Sequence, residues 1–190
     1  GGAKHFAPKF GRSAMYFDAQ STSDGDQLTM LDSGDWYFDG DFTIDLWIFW
    51  TSSAGFMDDL AVLLGQYKGS TPDRGWQLFL KEVSGAKKVL FNLYASDNST
   101  GQYDTGGITI APHTWTHIAV TCASNVVKLW INGVHDTDFA VTLTSRRNAT
   151  RPLLIGAQGE STDIRFFGGY MDEIRISKGV ARTDAGQDLA

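Results

Sequence analysis

Hydrophobic and polar residues alternate along most of this chain, and glycine, asparagine, aspartate or serine residues interrupt the alternation at intervals. In Phe42–Trp50 every second residue is apolar, so one face of the segment is apolar and the other is polar and aromatic. Because successive side chains of a strand point to opposite faces, this pattern predicts strands with one buried face. No long stretch has the i, i+3, i+4, i+7 spacing of an amphipathic helix. Only residues 52–60 have an ambiguous period that is compatible with a short helix.

Two hairpins and a further chain reversal are predicted from short turn sequences between alternating segments. Each turn has two small or polar residues, and Asn-Gly is the strongest short turn signal. The hairpins join residues 76–80 to 88–94 and residues 115–121 to 126–131, and the last of these strands then turns back into residues 134–135. The three turns lie at Ser84-Gly85, Ser124-Asn125 and Asn132-Gly133.

The remaining strands are shorter or less regular. Turns recur about every 8 to 12 residues, which is typical of a two-sheet sandwich. The sequence therefore predicts an all-β fold, a two-sheet antiparallel β-sandwich, in a single domain over residues 1–190 with its core at about residues 12–182. These other strands are predicted at residues 14–18, 27–31, 62–67, 107–110, 139–143, 153–156 and 168–177.

The last predicted strand contains a carboxylate in an unexpected place. Strict alternation puts Asp172 on the same face as Tyr170, Ile174 and Ile176, and that face should meet the core. An ionised carboxylate among isoleucines is costly unless it is hydrogen-bonded, ion-paired or bound to a cation. We therefore expect Asp172 to be buried and to meet either a cation or backbone amides there.

Composition and charge exclude several classes of protein. The chain has 190 residues and a net charge of −6. Nucleic-acid binding without sequence preference needs clustered Lys and Arg, so no nucleic-acid partner is expected. The single Cys122 excludes an internal disulfide and a zinc site built from several thiolates, and alternation makes it a small core residue. No apolar run approaches the roughly 20 residues needed to span a bilayer, and the amino terminus has no signal-peptide block, so no membrane partner is expected.

The ordered set of strands resembles the laminin G-like, or concanavalin A-like, jelly-roll domains. The matching segments, in the order of that family, are AMYFD (14–18), FTIDLW (42–47), WTHIAV (115–120) continuing into VKLWING (127–133), LIG (154–156) and FGGYMDEIRI (167–176). The resemblance implies two packed antiparallel sheets, one of them concave. Similar domains occur in bacterial surface proteins, secreted polysaccharide-active enzymes and marine phage virion proteins, which implies an extracellular, cell-surface or virion location.

The resemblance also implies a structural Ca²⁺ site. In the family, such a site uses the aspartate of the closing strand together with oxygens from the amino-terminal region. The matching residues here are Asp172 and Asp18, which is followed by Ala19 where the family usually has Gly. Asp41 is added from the acidic segment at residues 24–41, because Ca²⁺ takes 6–8 oxygen ligands. The alternative is that Asp172 accepts hydrogen bonds from backbone amides of a neighbouring loop.

One tryptophan has neighbours suited to a sugar. Alternation places Trp130 with Lys128 and Asn132, opposite an apolar face, and a flat ring flanked by hydrogen-bonding groups is what a sugar ring needs. The alternative is an outer-sheet tryptophan covered by a loop. Tryptophans inside strands, such as Trp47 and Trp115, are interpreted as core residues.

The motifs of catalysis are missing from the sequence. Glycosidases of this fold need two carboxylates on one face of one strand, and no such pair occurs. We therefore predict a non-enzymatic, lectin-like recognition module for carbohydrate, stabilised by Ca²⁺, whose partner is a glycan or host-surface component. The alternatives are a structural or protein–protein interaction domain of a phage tail, virion appendage or adhesin, which would contact neighbouring domains, and third a polysaccharide hydrolase or lyase.

Overall fold

The computed structural model of the protein describes residues 8–19, 24–51, 60–69, 73–97, 99–104, 106–140, 145–159 and 165–182. The segment compatible with a short helix lies outside these ranges at residues 52–59. No helix within them is long and apolar enough to cross a membrane. Their regular structure is one 3-10 turn at Gly34–Trp36 and the strands β1 (Met15–Phe17), β2 (Leu28–Met30), β3 (Phe42–Trp50), β4 (Leu60–Tyr67), β5 (Arg74–Val83), β6 (Ala86–Tyr94), β7 (Thr100–Asp104), β8 (Thr116–Ala123), β9 (Val126–Ile131), β10 (Val134–Ala140), β11 (Leu153–Ile155) and β12 (Gly169–Lys178).

These strands form two antiparallel sheets of six strands each. The order is β1-β12-β3-β8-β9-β10 in the first sheet and β2-β11-β4-β5-β6-β7 in the second sheet. The predicted all-β sandwich is confirmed. The three predicted turns are confirmed as well, because β5–β6, β8–β9 and β9–β10 pair as hairpins and the turn residues between them have positive φ angles.

Two of the weaker strand predictions are corrected. Residues 107–110 do not form a strand, and only Ile110 makes an isolated bridge, to Lys87. The edge of the second sheet is instead β7, which pairs with β6. Its five residues contain a single large apolar side chain, Tyr103, so alternation gave no signal for it. The strand predicted at residues 139–143 is the end of β10 as far as Ala140, and residues 141–143 lie outside the described ranges.

The inner faces of the two sheets share one hydrophobic cluster. It contains the whole apolar face predicted for β3 together with residues of β4, β5 and β6 on the opposite sheet. Phe38 stacks on Phe42 with 4.3 Å between ring centroids and contacts Trp76 at 5.0 Å. Cys122 is buried with a free thiol, as predicted. Burial of each large apolar side chain stabilises the fold by about 1.5–3 kcal/mol, so this cluster holds the two sheets together.

A β-bulge in β12 corrects the predicted position of Asp172. The register between β12 and β3 shifts between Asp172 and Arg175, and Glu173 has a φ of 51°. A bulge inserts one extra residue, so the side chains before and after it alternate in opposite phase. Met171 before the bulge is 1% exposed, and Ile174 after it packs against the core. Asp172 therefore lies on the outer face of the first sheet, and the prediction that it shares a buried face with isoleucines is wrong.

Candidate functional site

Strand pairing aligns the outward side chains of the first sheet in lines that cross the strands. The alignment follows from the register, in which Tyr16 pairs with Tyr170 and Tyr170 pairs with Phe49. Neighbouring lines are two residues apart on β3, which is roughly 7 Å. Trp115, just before β8, and Asn132, just after β9, extend two of these lines through a ring contact with Phe49 and hydrogen bonds with His117. The aromatic line is Tyr16, Tyr170, Phe49 and Trp115; the second line is Asp172, Trp47, His117 and Asn132; the third line is Arg175, Asp45, Ala119 and Trp130; the fourth line is Ser177, Thr43, Thr121 and Lys128.

The aromatic line is a continuous row of ring contacts. Ring centroids are 4.9 Å apart for Tyr16 and Tyr170, 6.1 Å for Tyr170 and Phe49, and 5.7 Å for Phe49 and Trp115. Tyr16 is 53% exposed and the other three side chains are half-buried. Desolvation raises the pKa of Tyr16, and the nearby carboxylate of Asp18 raises it further. These rings face away from the hydrophobic cluster, so the interpretation of Trp115 as a core residue is wrong.

Sequence reasoning missed the aromatic line for a physical reason. Alternation on each strand separately does place Phe49 opposite the core, and Tyr16 opposite Phe17. Which residues of neighbouring strands stand side by side depends on the register, and register follows from pairing between segments far apart in the chain. Tyr16 and Tyr170 are separated by most of the sequence, yet they are direct partners.

The second line is covered by the amino-terminal segment. Asp172 accepts a hydrogen bond from the backbone N–H of Phe10 at 3.1 Å and another from the backbone N–H of Glu173 at 2.9 Å. The Phe10 ring meets the Trp47 ring edge-on at 5.6 Å, and the ammonium of Lys9 lies 4.0 Å from a Trp47 ring centroid. Asp172 therefore meets backbone amides, the alternative left open by the sequence, and fixes a segment that covers Trp47.

His117 and Asn132 close the second line on the side of β9. The backbone N–H of His117 donates to Oδ1 of Asn132 at 2.9 Å, and the N–H of Asn132 donates to the carbonyl of His117 at 3.0 Å. His117 is 2% exposed, and its burial lowers the pKa of the imidazole. The side-chain oxygen of Asn132, a predicted sugar contact, thus already holds the turn after β9.

The third line contains an ion pair that the carboxyl-terminal segment completes. Asp45 is 4% exposed and accepts hydrogen bonds from Arg175 at 3.0–3.2 Å. Arg182 adds a contact to the same carboxylate at 3.4 Å. Thr43 donates to the carbonyl of Val180 at 2.8 Å, so residues 180–182 lie over this part of the sheet.

Trp130 and Lys128 lie on the outer face, as alternation predicts. Both side chains are half-buried. The indole N–H of Trp130 donates to Oγ1 of Thr121 at 3.1 Å, and its ring contacts Ala119 and the ring of His135, with 4.9 Å between the two ring centroids. The ring is thus held rigidly by the sheet. The structure places Lys128 two residues away on the same strand, level with Thr121.

The three aspartates predicted to bind a metal do not converge. Asp18 follows β1, whose Phe17 pairs with Gly169, whereas Asp41 precedes β3, whose first residue pairs with Lys178. These two ends of β12 are nine residues, or roughly 30 Å, apart. Asp41 accepts a hydrogen bond from the N–H of Ser124 at 2.9 Å. Within the described ranges, no group of three or more His, Cys, Asp or Glu side chains could hold a metal ion. The three side chains do not fit a shared Ca²⁺ site.

A second kind of surface lies at the open side of the sandwich, where β1 and β2 are the edge strands. Several apolar side chains are exposed there, and Leu31 reaches 85%. A cleft of about 490 Å³ adjoins β1 and the bulge of β12. The exposed apolar residues of this open edge are Met15, Leu28, Met30 and Leu31.

Two six-stranded antiparallel sheets around one core, with an aromatic outer face, define a lectin-like jelly roll. The family model described as the concanavalin A-like lectin/glucanases superfamily matches residues 21–185, and the chain belongs to this family. The family resemblance indicated by the sequence is thereby confirmed. No curated protein sequence matches the chain.

Solved structures with the same fold come from several kinds of protein. The binding domain of Paraclostridial Mosquitocidal Protein 1 is 16% identical with a TM-score of 0.64, over 84% of this chain and 39% of that one. Domain 4 of AbnA, a GH43 extracellular arabinanase from Geobacillus stearothermophilus, solved with arabinotriose, is 19% identical with a TM-score of 0.61, over 95% of this chain and 82% of that one. A heptameric SAP-like pentraxin from Limulus polyphemus is 12% identical with a TM-score of 0.57, over 86% and 81%. At these identities the similarity establishes the fold alone.

Proposed function

We propose that this chain is a non-catalytic recognition domain that binds carbohydrate through the outer face of its first sheet, in an extracellular or surface setting. The observation that carries the proposal is the aromatic line, four contacting rings that are half-buried or exposed on one sheet face. The C–H faces of sugars stack on aromatic rings, and a few fixed polar groups then set the orientation.

Two of the similar structures support this proposal. One was solved as a domain of an arabinanase in complex with arabinotriose, and another is the binding domain of a toxin. This chain shares the fold of both domains over most of its own length. A pocket for catalysis is not needed for binding.

The polar groups of the same face favour binding over catalysis. A glycosidase needs two carboxylates that are available to the scissile bond, one to protonate and one to attack or to activate water. Here Asp45 accepts hydrogen bonds from Arg175, and Asp172 accepts two from backbone amides. Both carboxylates thus have a structural role on this face.

The Trp130 surface, comprising Trp130, Lys128 and Asn132, is proposed as a second contact on the same sheet. The indole edge is anchored to Thr121, so one ring face can be presented without loss of side-chain freedom on binding. Lys128 is placed to donate to a hydroxyl, and the amide nitrogen of Asn132 can do the same while its oxygen holds His117.

A glycan array tests the proposed function directly. The protein is applied in the presence of Ca²⁺ and again with a chelator, so that binding and any need for the ion are separated. We expect retention on at least one glycan class. If the protein bound none of the glycans on a broad array, carbohydrate binding would be contradicted. Incubation with laminarin, agar and alginate, followed by assay of reducing or unsaturated ends, tests the alternative of a hydrolase or lyase.

The open edge favours a second candidate, a protein–protein interaction domain of an appendage or adhesin. Isolated exposed apolar residues are ordinary, but this edge has four of them, and one, Met15, also lines the cleft. If a neighbouring domain covers the edge, Leu31→Ser and Met30→Ser should weaken that contact without changing glycan binding. Light scattering and cross-linking of a longer chain that includes adjacent domains would measure the contact.

A further inference from the structure

We infer that the ligand of the aromatic line is a neutral, extended polysaccharide chain that lies across the strands and contacts the row along its length. This inference rests on the proposed function and narrows it to a ligand class and an orientation.

The spacing of the rings sets the orientation. Tyr16, Tyr170 and Phe49 are direct cross-strand partners, so the row runs perpendicular to the strands. Its steps of 4.9, 6.1 and 5.7 Å follow the strand separation, which is about 4.8 Å. Each step is comparable with the length of one sugar unit in an extended chain. The rings are inclined to one another by 47–74°, so they present both faces and edges. An extended chain can contact several of these side chains at once, whereas a single sugar reaches only one or two of them.

The Tyr16 end of the row is open, which favours binding along a chain rather than at its terminus. Tyr16 lies on the edge strand β1 and is 53% exposed. The exposed ring of His113 also adjoins the row, 6.1 Å from the ring of Phe49. A polysaccharide can therefore continue past Tyr16.

The charges around the row select against anionic chains. The carboxylates of Asp18 and Asp26 are close enough to Tyr16 to raise the pKa of its hydroxyl. Asp172 lies two residues from Tyr170 on the same face of β12. These charges act within about 10 Å at ordinary ionic strength, and the whole chain carries −6. A uronate or sulfate group would meet repulsion at the Tyr16 end, while neutral hydroxyls can donate to the carboxylates.

The row is formed in advance of binding, which keeps the entropic cost of association low. Tyr16, Tyr170 and Phe49 stand on hydrogen-bonded strands, and Trp115 directly precedes β8. Gly169, with a φ of 144°, allows β12 to approach β3 closely, because a Cβ at this position would contact the carbonyl oxygen of Phe49. That approach brings Tyr170 beside Phe49.

Calorimetric titration with oligosaccharides of increasing length tests the inference. The probes are neutral arabino-, laminari-, cello- and manno-oligosaccharides, with oligomers of alginate as the anionic comparison. For a neutral series that binds, we expect affinity to rise with each added sugar until the row is filled, and to be weaker for alginate oligomers. Tyr170→Ala and Trp115→Ala should each lower the affinity about three- to tenfold. Tyr16 is exposed, so its truncation should be tolerated. Tyr16→Ala should lower the number of sugar units at which the affinity stops rising.

The control is Tyr67→Ala, which removes a half-buried ring from the second sheet. Circular dichroism and melting of every variant separate loss of binding from loss of fold. The inference would be overturned if the affinity did not depend on chain length, if Tyr16→Ala and Tyr170→Ala left it unchanged, or if alginate oligomers bound more tightly. Carbohydrate recognition would still stand in each of these cases. Failure of every saccharide to bind would overturn the proposed function and the inference together.

Discussion

The carboxylate of Asp172 accepts a hydrogen bond of 3.1 Å from the backbone N–H of Phe10, which lies 162 positions earlier in the sequence. This hydrogen bond ties the amino-terminal segment to the last strand, and the tied segment places Phe10 and Lys9 against Trp47. One acidic side chain at a bulge therefore decides which part of the outer face is covered. The second line is covered, and the aromatic line beside it keeps rings that solvent can reach.

Removing this tie should loosen the amino-terminal segment. Asp172→Ala deletes both acceptor oxygens, and we expect the free energy of unfolding to fall by about 1–3 kcal/mol, since hydrogen bonds to a charged acceptor are lost. For a chain of this size that is a fall in melting temperature of roughly 2–4 °C for each kcal/mol. Asp172→Asn, which keeps one acceptor, should cost less. Urea denaturation measures the change, with exposed Asp39→Ala as the control; equal stability of all three variants would contradict the structural role.

Calcium binding stays a prediction, and the positions of the aspartates define its test. Melting in Ca²⁺ is compared with melting in a chelator, because a ligand that binds only the folded chain raises its melting temperature. Since Asp18 and Asp41 lie at opposite ends of the first sheet, at most one of them can share an ion, completed by backbone carbonyls. The three variants Asp18→Asn, Asp41→Asn and Asp172→Asn are made one at a time. We expect a single such change to abolish the rise in melting temperature that Ca²⁺ gives. Identical wild-type melting in both conditions would refute the calcium site.

Much of this fold could be predicted from the sequence, and the failures have local causes. The alternation pattern predicted both ends of β3 and of β9 correctly, because the inner faces of these strands are continuously apolar. The Asn132-Gly133 turn followed from backbone preference alone. The bulge at Glu173 could not be predicted, since nothing in Asp-Glu-Ile-Arg marks glutamate for a positive φ. That single residue inverted the face assigned to Asp172. The aromatic line was missed because it exists only in the register between strands.

The strain at the bulge gives a prediction of its own. A non-glycine residue with φ near 51° pays a steric penalty of about 1–2 kcal/mol, which glycine avoids at some cost in unfolded-state entropy. We expect Glu173→Gly to raise the free energy of unfolding by about 0.5–1 kcal/mol. Glu173→Val should lower it, because a β-branched residue fits this conformation poorly. Chemical denaturation compares the two, with Glu173→Ala as the reference. A loss of stability with glycine would mean that the bulge is not the strained element described.

The Trp130 surface can be tested separately from the aromatic line. Trp130→Ala should lower the affinity for a bound saccharide several-fold, since one stacking ring contributes about 0.5–1.5 kcal/mol. Trp130→Phe keeps a ring while removing the hydrogen bond to Thr121, and should retain most of the affinity. Lys81→Ala, which changes a half-buried lysine of the second sheet, is the control for Lys128→Ala. If Trp130→Ala binds like the wild type, the predicted contact at this tryptophan is wrong.

Buried His117 should make the stability depend on pH in a defined window. Burial lowers the pKa of its imidazole in the folded chain, with Asp45 partly opposing the shift. The unfolded chain therefore takes up this proton first, near pH 6.5, and the free energy of unfolding falls as the pH drops below about 6.5. The fall ends once the folded imidazole is protonated, and one group contributes at most about 1.4 kcal/mol per pH unit.

His117→Leu fills a similar volume and removes a buried Nε2 that has no hydrogen-bond partner in the described ranges. Urea denaturation between about pH 7.5 and 5, above the range in which carboxylates titrate, should show a slope for the wild type that the variant lacks; parallel curves would exclude His117 as its source.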